Sequence, residues 1–293
     1  MEHVVYEYFQ SMNPVISCPV ADIFDGDERV IGSATMIMPG MFLTATHVVQ
    51  DWHDRSTGNK GVDVSTTEPE DAGDFKVKIW QTLKDGRLAE WHADEIVSMV
   101  GYDVAILIDH GTFNDVAKEL IDKDVLPLIR FDLHPPKVGG KLLAIGYPKT
   151  QTKKTENGHQ HLVNYFSHEG VVEDIKYEGA GLLKYPCFQT DIEADGGMSG
   201  CPVLKDSLIC GIVSSGYAPT KDVPKYTTFV SSLWSIFTAK LPPNLTGHEN
   251  VSLLELANMG FLTVIGRNHI KHGEDGDYWQ EVVDDCPDCS NMA

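Results

Sequence analysis

Residues 194–204 read ADGGMSGCPVL, and this stretch decides how the rest of the chain is understood. Gly197 and Gly200 flank Met198 and Ser199, and glycine lets a chain turn this tightly without steric cost. In such a turn the backbone N–H groups of Gly197 and Ser199 can converge on one point, a small anion-binding concavity beside a hydroxyl. Gly-Ser turns are frequent, so the stretch takes its meaning from what surrounds it.

Outward from that turn the chain is a succession of short apolar segments. They are VISCPVADIF (15–24), RVIGSATMIM (29–38), FKVKIWQTL (75–83), DVAILID (103–109), KLLAIGY (141–147), HEGVVEDI (168–175) and SLICGIVSS (207–215). Turn formers divide them: DGD at 25–27, PG at 39–40, KDG at 84–86 and PPKVGG at 135–140. Repeated strands without intervening amphipathic helices predict an all-β barrel or sandwich. The polar stretches 54–74 and 150–160 (TQTKKTENGHQ) read as long surface loops. A helix is expected over 231–240 (SSLWSIFTAK), then a linker at 241–250, then a helix followed by a strand in VSLLELANMGFLTVIG.

A serine nucleophile needs a base to take its proton, an acid to orient the base, and N–H donors for the developing oxyanion. FLTATHVVQDW sets His47 between a strand-like segment and a short helical turn, so its ring can project into a cleft from an anchored chain. GYDVAILID sets Asp103 at the start of a strongly apolar strand, which can shelter a carboxylate. Taken singly, each has a plainer reading, as a strand-end histidine among twelve and an acidic turn former. Together they run His, Asp, Ser along an all-β chain, an order that differs from those of subtilisin and the α/β-hydrolases.

These segments resemble trypsin-like peptidases, and within them the bacterial HtrA/Deg type. The resemblance is carried by Gln189-Thr190-Asp191 with Gly197-Met198-Ser199-Gly200-Cys201-Pro202, by Leu43-Thr44-Ala45-Thr46-His47-Val48-Val49, and by Asp103-Val104-Ala105-Ile106-Leu107. Ala144-Ile145-Gly146-Tyr147-Pro148 and Gly211-Ile212-Val213-Ser214 are similar to further strands of that group. The resemblance spans about residues 15–240. It implies two six-stranded β-barrels of the chymotrypsin type in a domain over 1–240, closed by a C-terminal helix. It also implies a triad of His47, Asp103 and Ser199 in the cleft, an oxyanion hole from Gly197 and Ser199, and protein or peptide substrates. Catalysis then requires no cofactor.

The chain departs from the family at several points. Met198 stands where trypsin zymogens carry an activating aspartate, Cys201 replaces a second glycine, and the residues after 250 are too few for a PDZ domain. The primary specificity pocket is expected from Ile192, Glu193 and Ala194 and from Val213, Ser214, Ser215 and Gly216. Glu193 falls where trypsin keeps the acid that selects Lys or Arg; the alternative is an exposed loop glutamate.

Within the extension at 251–293, His269-x-x-His272 and Cys286-x-x-Cys289 have ligand types and spacing that suit a structural zinc knuckle. The alternative is an acidic tail with incidental residues. Net charge is −20, from 43 acidic and 23 basic residues, which repels a phosphate backbone and argues against nucleic acid. No apolar run suits a membrane span, and the first residues lack a basic start and apolar core, so a cytoplasmic protein is expected. Six cysteines in that setting read as free thiols or ligands, with Cys18, Cys187, Cys201 and Cys210 buried. A cytoplasmic protease must be restrained, which suggests an activating protein partner that orders 150–160 or 190–198. A catalytically silent scaffold on the same fold, or a viral-type maturation protease, would also suit the pattern.

Overall fold

Each of the seven apolar segments becomes a strand. The structure is a computed structural model that describes residues 17–24, 27–50, 77–83, 85–98, 102–122, 129–149, 151–156, 158–162, 165–180, 183–242, 251–272 and 278–280. The first half contains β1 (Ser17–Phe24), β2 (Asp27–Met38), β3 (Met41–Thr44), β4 (Val77–Thr82), β5 (Leu88–Ala93), β6 (Glu95–Ser98), β7 (Ala105–Ile108) and helix α1 (Asp115–Asp122). Then come β8 (Arg130–Asp132), β9 (Lys141–Gly146), β10 (Gln151–Thr155), β11 (Gly158–Leu162), β12 (Phe166–Lys176), β13 (Cys187–Thr190), β14 (Pro202–Lys205), β15 (Leu208–Tyr217) and β16 (Thr227–Ser232). Helix α2 (Trp234–Thr238), α3 (Leu253–Asn258), β17 (Thr263–Ile265), β18 (Ile270–His272) and β19 (Tyr278–Gln280) complete the order.

The first sheet runs β5-β4-β1-β2-β3-β7-β6. Its two end strands are one chain segment interrupted only at Asp94, whose N–H donates to the Ile108 carbonyl. The segment 88–98 therefore pairs with β4 by one half and β7 by the other, which closes six strands into a barrel. In the second sheet β14 pairs with both β9 and β15, closing β14-β9-β12-β13-β16-β15. The all-β double barrel expected from the sequence is what forms. Closure removes the exposed edges that an open sheet would present.

One core cluster fills the first barrel and continues under the helices, where Phe131 meets Phe237 edge to face at 5.1 Å. A second, with Leu142, Val172, Phe188, Met198, Val203, Val213 and Val230, fills the other barrel. Each such large side chain stabilises the fold by about 1.5–3 kcal/mol through burial.

Three expectations are corrected. The stretch 150–160 is not a loop: β10 and β11 pair from Gln151–Leu162 to Thr155–Gly158 as an antiparallel ribbon. A ribbon held by backbone pairing, with Lys153 and Glu156 in water, leaves no apolar signature to read. The helix expected over 231–240 is confined to α2, because residues up to Ser232 belong to β16, held between β13 and β15. Helix α1 is unexpected, although Val116, Ala117, Leu120 and Ile121 recur at helical spacing; Asn114 Oδ1 accepts the Ala117 N–H at 2.9 Å, Ala117 and Leu120 are buried, and Val116 packs against the core at its edge. The polar stretch 54–74 lies outside the described residues.

The helix-then-strand pattern after 250 is present. Ser252 caps α3 with Glu255 in a reciprocal capping box, and β17 pairs in parallel with β8. No described helix is long and apolar enough to cross a membrane.

Candidate active site

Strand pairing brings the base and the acid together. Thr44, the last residue of β3, lies opposite Ala105, the first of β7. His47 follows the end of one strand and Asp103 precedes the start of the other, so both emerge at the same rim. Thr46 Oγ1 donates to the Tyr102 carbonyl at 3.3 Å and ties the two segments. The His47 backbone N–H donates to Asp103 Oδ1 at 2.9 Å, and His47 Nδ1 lies 2.8 Å from Asp103 Oδ2. The imidazole is 45% exposed while the carboxylate is 13% exposed, so the base faces solvent and its acid is sheltered.

Burial by itself would raise the Asp103 carboxyl. The hydrogen bond and charge of His47, with the Ser214 hydroxyl, outweigh that and hold it below the usual carboxylate range. An ionised carboxylate only accepts, so Nδ1 carries the proton and Nε2 is left with its lone pair.

Ser199 sits in the loop 191–201 between β13 and β14, strands that do not pair with each other. Gly197 has φ +98° and Gly200 φ +87°. A Cβ on Gly200 would stand 2.0 Å from the Ser33 carbonyl oxygen, so glycine is obligatory there. The loop is sewn to the first barrel at β2: the Ser33 N–H donates to the Ser199 carbonyl at 2.8 Å, Ser33 Oγ to the Gly197 carbonyl at 2.7 Å, and Thr35 Oγ1 to the Gly200 carbonyl at 3.1 Å. It is sewn to β15 by Gly200 N–H to the Val213 carbonyl, 2.7 Å, and Val213 N–H to the Cys201 carbonyl, 3.0 Å. The C-terminal end of the segment 190–198, one of two segments proposed to be ordered by a partner, is thus held against β2 at the Gly197 carbonyl. Among the described residues, no acceptor receives the N–H of Gly197 or of Ser199. These are the donors expected of an oxyanion hole.

Ser214 joins the three residues. Its Oγ donates to Asp103 Oδ2 at 2.5 Å, and its carbonyl accepts from Ser199 Oγ at 3.1 Å. Sequence placed Ser214 in the specificity pocket. The structure brings its hydroxyl against the acid, and nothing in a serine within an apolar strand signals that contact. Ser33, Ser231, whose Oγ donates to the Asp103 carbonyl at 3.2 Å, and Tyr185, whose hydroxyl is 2.9 Å from Ser214 Oγ, were equally invisible.

The remaining pocket residues divide. The Val213 and Ile192 side chains turn into the second core. Ser215 is half-buried and Gly216 exposed, and a Cβ on Gly216 would stand 3.1 Å from the Ala194 carbonyl oxygen, so these two walls touch. Glu193 is 43% exposed; it accepts from the Tyr226 hydroxyl at 3.2 Å and lies 3.9 Å from His168 Nδ1.

The zinc expectation finds no support. His269 is buried, its ring 4.9 Å from that of His134, which is bound to Asp132 on the second sheet. The His272 side chain, Cys286 and Cys289 lie outside the described residues. Among the described residues no group of three or more His, Cys, Asp or Glu is arranged to hold a metal. Cys18, Cys187, Cys201 and Cys210 are buried and take part in no disulfide among the described residues. Burial pushes the Cys187 thiol up to about 11 and Cys210 to about 12, so neither is a thiolate at neutral pH.

A family described as trypsin-like peptidase domain matches residues 30–208 of this chain. Solved structures similar to it include an inactive form of Rv3671c from M. tuberculosis H37Rv, with 16% identity and a TM-score of 0.46 over 88% of this chain and 90% of that one. The HtrA-type protease AlgW with a decapeptide has 17% identity and a TM-score of 0.47, over 74% of this chain and 60% of that one. Deg5 has 18% identity and a TM-score of 0.49, over 79% and 90%. No curated protein matches the chain.

Proposed function

The chain belongs to the trypsin-like peptidase domain family, and from that premise we propose that it cuts proteins through His47, Asp103 and Ser199. It is a serine endopeptidase, a hydrolase of peptide bonds in protein or peptide substrates, and that chemistry needs no cofactor. The observation that carries the triad reading is the 2.8 Å contact of His47 Nδ1 with a sheltered, ionised Asp103 that Ser214 links to Ser199.

In this reading Ser199 Oγ leaves the Ser214 carbonyl and gives its proton to His47 Nε2 as it attacks the scissile carbonyl carbon. The Gly197 and Ser199 N–H groups receive the oxyanion. His47 then passes the proton to the departing amine, leaving an acyl-enzyme, and water repeats the sequence to release the acid. Asp103 stays ionised throughout and stabilises the imidazolium.

Glu193 is proposed to select Lys or Arg before the cut bond, since its carboxylate is half-exposed and steadied by Tyr226, and the next residue, Ala194, lies against Gly216. Residues 1–240 are assigned to the peptidase domain, with 241–250 a linker and 251–293 an extension. Four buried cysteines that form no disulfide among the described residues support an intracellular, cytoplasmic setting. The Ser199 hydroxyl bonded to the Ser214 carbonyl supports a resting state that a substrate or an activating protein partner must release.

Digestion of unfolded casein by the wild type and Ser199→Ala, with mass spectrometry of the fragments, tests the reading. Cutting by the wild type alone upholds the triad, and equal fragments from both overturn it. Glu193→Ala with an unchanged residue before the cut sites removes the specificity assignment.

A further inference from the structure

We propose that Tyr185 is a positioning residue for the acid–base pair, its phenol donating to Ser214 Oγ so that the Ser214 proton stays on Asp103 Oδ2. The proposal rests on the reading of His47, Asp103 and Ser199 as the reacting set.

Proton inventory dictates the direction of the chain. A serine hydroxyl has one proton, and that of Ser214 is committed to Asp103 Oδ2 at 2.5 Å. The Tyr185 hydroxyl lies 2.9 Å from Ser214 Oγ, so it must supply its own proton to that contact. The result is one directed relay: Tyr185 O–H to Ser214 O–H to the Asp103 carboxylate, which receives His47 Nδ1–H. Donors in such a series polarise one another, and each fixes the rotamer of the next. Burial and the nearby Asp103 charge push the Tyr185 phenol up, so it keeps its proton over any working pH.

The phenol is itself preorganised. Tyr185 precedes Pro186, which biases its backbone toward extended conformations, and β13 begins one residue later at Cys187. Its ring lies 5.9 Å from that of Tyr102, the residue before Asp103, and Tyr102 meets Trp234 edge to face at 5.9 Å. Tyr185 and Ser214 are both buried, so their hydroxyls meet away from solvent. Among the described residues, Tyr102 and Cys187 are titratable neighbours of Tyr185, and burial raises all three. None changes charge near neutrality, so a pH profile there reports His47.

Ser214 serves both halves of the site, its hydroxyl on Asp103 and its carbonyl on Ser199 Oγ. Without the phenol, Ser214 Oγ loses the buried donor that the described residues give it, and the hydroxyl is free to rotate. Asp103 then carries more uncompensated charge toward His47, which raises the imidazole pKa, and the set is less often correctly aligned.

Tyr185→Phe keeps the ring and removes the hydroxyl. On a fluorogenic peptide copied from a wild-type casein cleavage site, kcat should fall about fivefold with KM within a factor of about two. The acid limb of kcat/KM should move to higher pH. The His47 titration, followed by NMR of histidine-labelled protein, should rise with it while the melting temperature stays within a few degrees. Tyr185→Phe added to Ser214→Ala should cost nothing further, because the phenol acts through that hydroxyl. Unchanged kcat and an unchanged His47 titration, or a Tyr185→Phe effect that adds fully to Ser214→Ala, overturn the proposal. Should wild type and Ser199→Ala prove equally inert on casein, the peptidase reading fails, while the His47 titration still decides the role of Tyr185.

Discussion

The two barrels contribute to the site in opposite ways. The first barrel presents His47 and Asp103 from the ends of paired neighbours, β3 and β7, so sheet register alone delivers them to one place. Their contact is then doubled by the backbone N–H of His47 on Asp103 Oδ1. The second barrel presents Ser199 on a loop that crosses between unpaired strands. That loop takes its shape from glycines at positive φ and from hydrogen bonds to β2 of the other barrel. One half of the site is built by register, the other by close approach. The first should tolerate change around it and the second should not.

The harshest way to break the register-built half is chemical. Asp103→Asn keeps the shape but removes the charge and favours the wrong imidazole tautomer, so kcat should fall by about 10⁴-fold, as for triads in general. A smaller loss, with peptide hydrolysis within tenfold of wild type, would mean that the carboxylate does not orient His47.

Gly200→Ala attacks the loop-built half. The new Cβ would stand 2.0 Å from the Ser33 carbonyl oxygen, on a backbone at φ +87°. The loop must then shift, with a loss of kcat of about 10²-fold and of stability by about 2–3 kcal/mol. A variant that melts and cuts like the wild type would show that the seam between the barrels does not shape the serine loop.

Lys205→Met probes the strand that leaves the loop. Lys205 on β14 pairs at 2.5 Å with Asp132, whose carboxylate is 1% exposed. Burial would raise the Asp132 carboxyl, but the hydrogen bond from His134 and the charge of Lys205 outweigh it and hold it low. A carboxyl depressed in the native state contributes stability that is complete above its ordinary value and lost as pH falls through the lower native one. Removing Lys205 should therefore cost about 2 kcal/mol at neutral pH and move acid unfolding to higher pH. Melts between neutral and acid pH measure both; parallel curves for the two proteins would contradict the pairing.

The mildest change sharpens the comparison. Ser33→Ala deletes one hydrogen bond, to the Gly197 carbonyl, and leaves the backbone link from Ser33 to Ser199. A single buried bond of about 1 kcal/mol corresponds to a fall in kcat of roughly fivefold, with little change in KM. An effect on KM alone would place Ser33 in substrate binding, not in oxyanion geometry.

Much of this was legible from residues 15–240. Strand-forming segments announce themselves because one face of each must be buried, and Gly197 and Gly200 because only glycine suits the turn. Local pattern also singled out His47, Asp103 and Ser199 as candidates, since each proposed role demands a recognisable setting: a strand end, an apolar strand start, a glycine-flanked serine. The β10–β11 ribbon escaped because backbone pairing in water leaves no apolar period. Val213 escaped as a core residue because pocket wall and core face alternate along the same strand.

Sequence alone determined the all-β class, the family resemblance and the three residues on which the chemistry is proposed to turn, because these depend on local burial and local backbone freedom. Only tertiary structure decided that Ser214 binds the acid and the serine at once, that Tyr185 stands behind it, and that Ser33 holds the serine loop. Those contacts join residues 111, 29 and 164 positions apart. A polar residue inside a strand carries no mark of its partner, since the partner is chosen by how two closed barrels pack against one another.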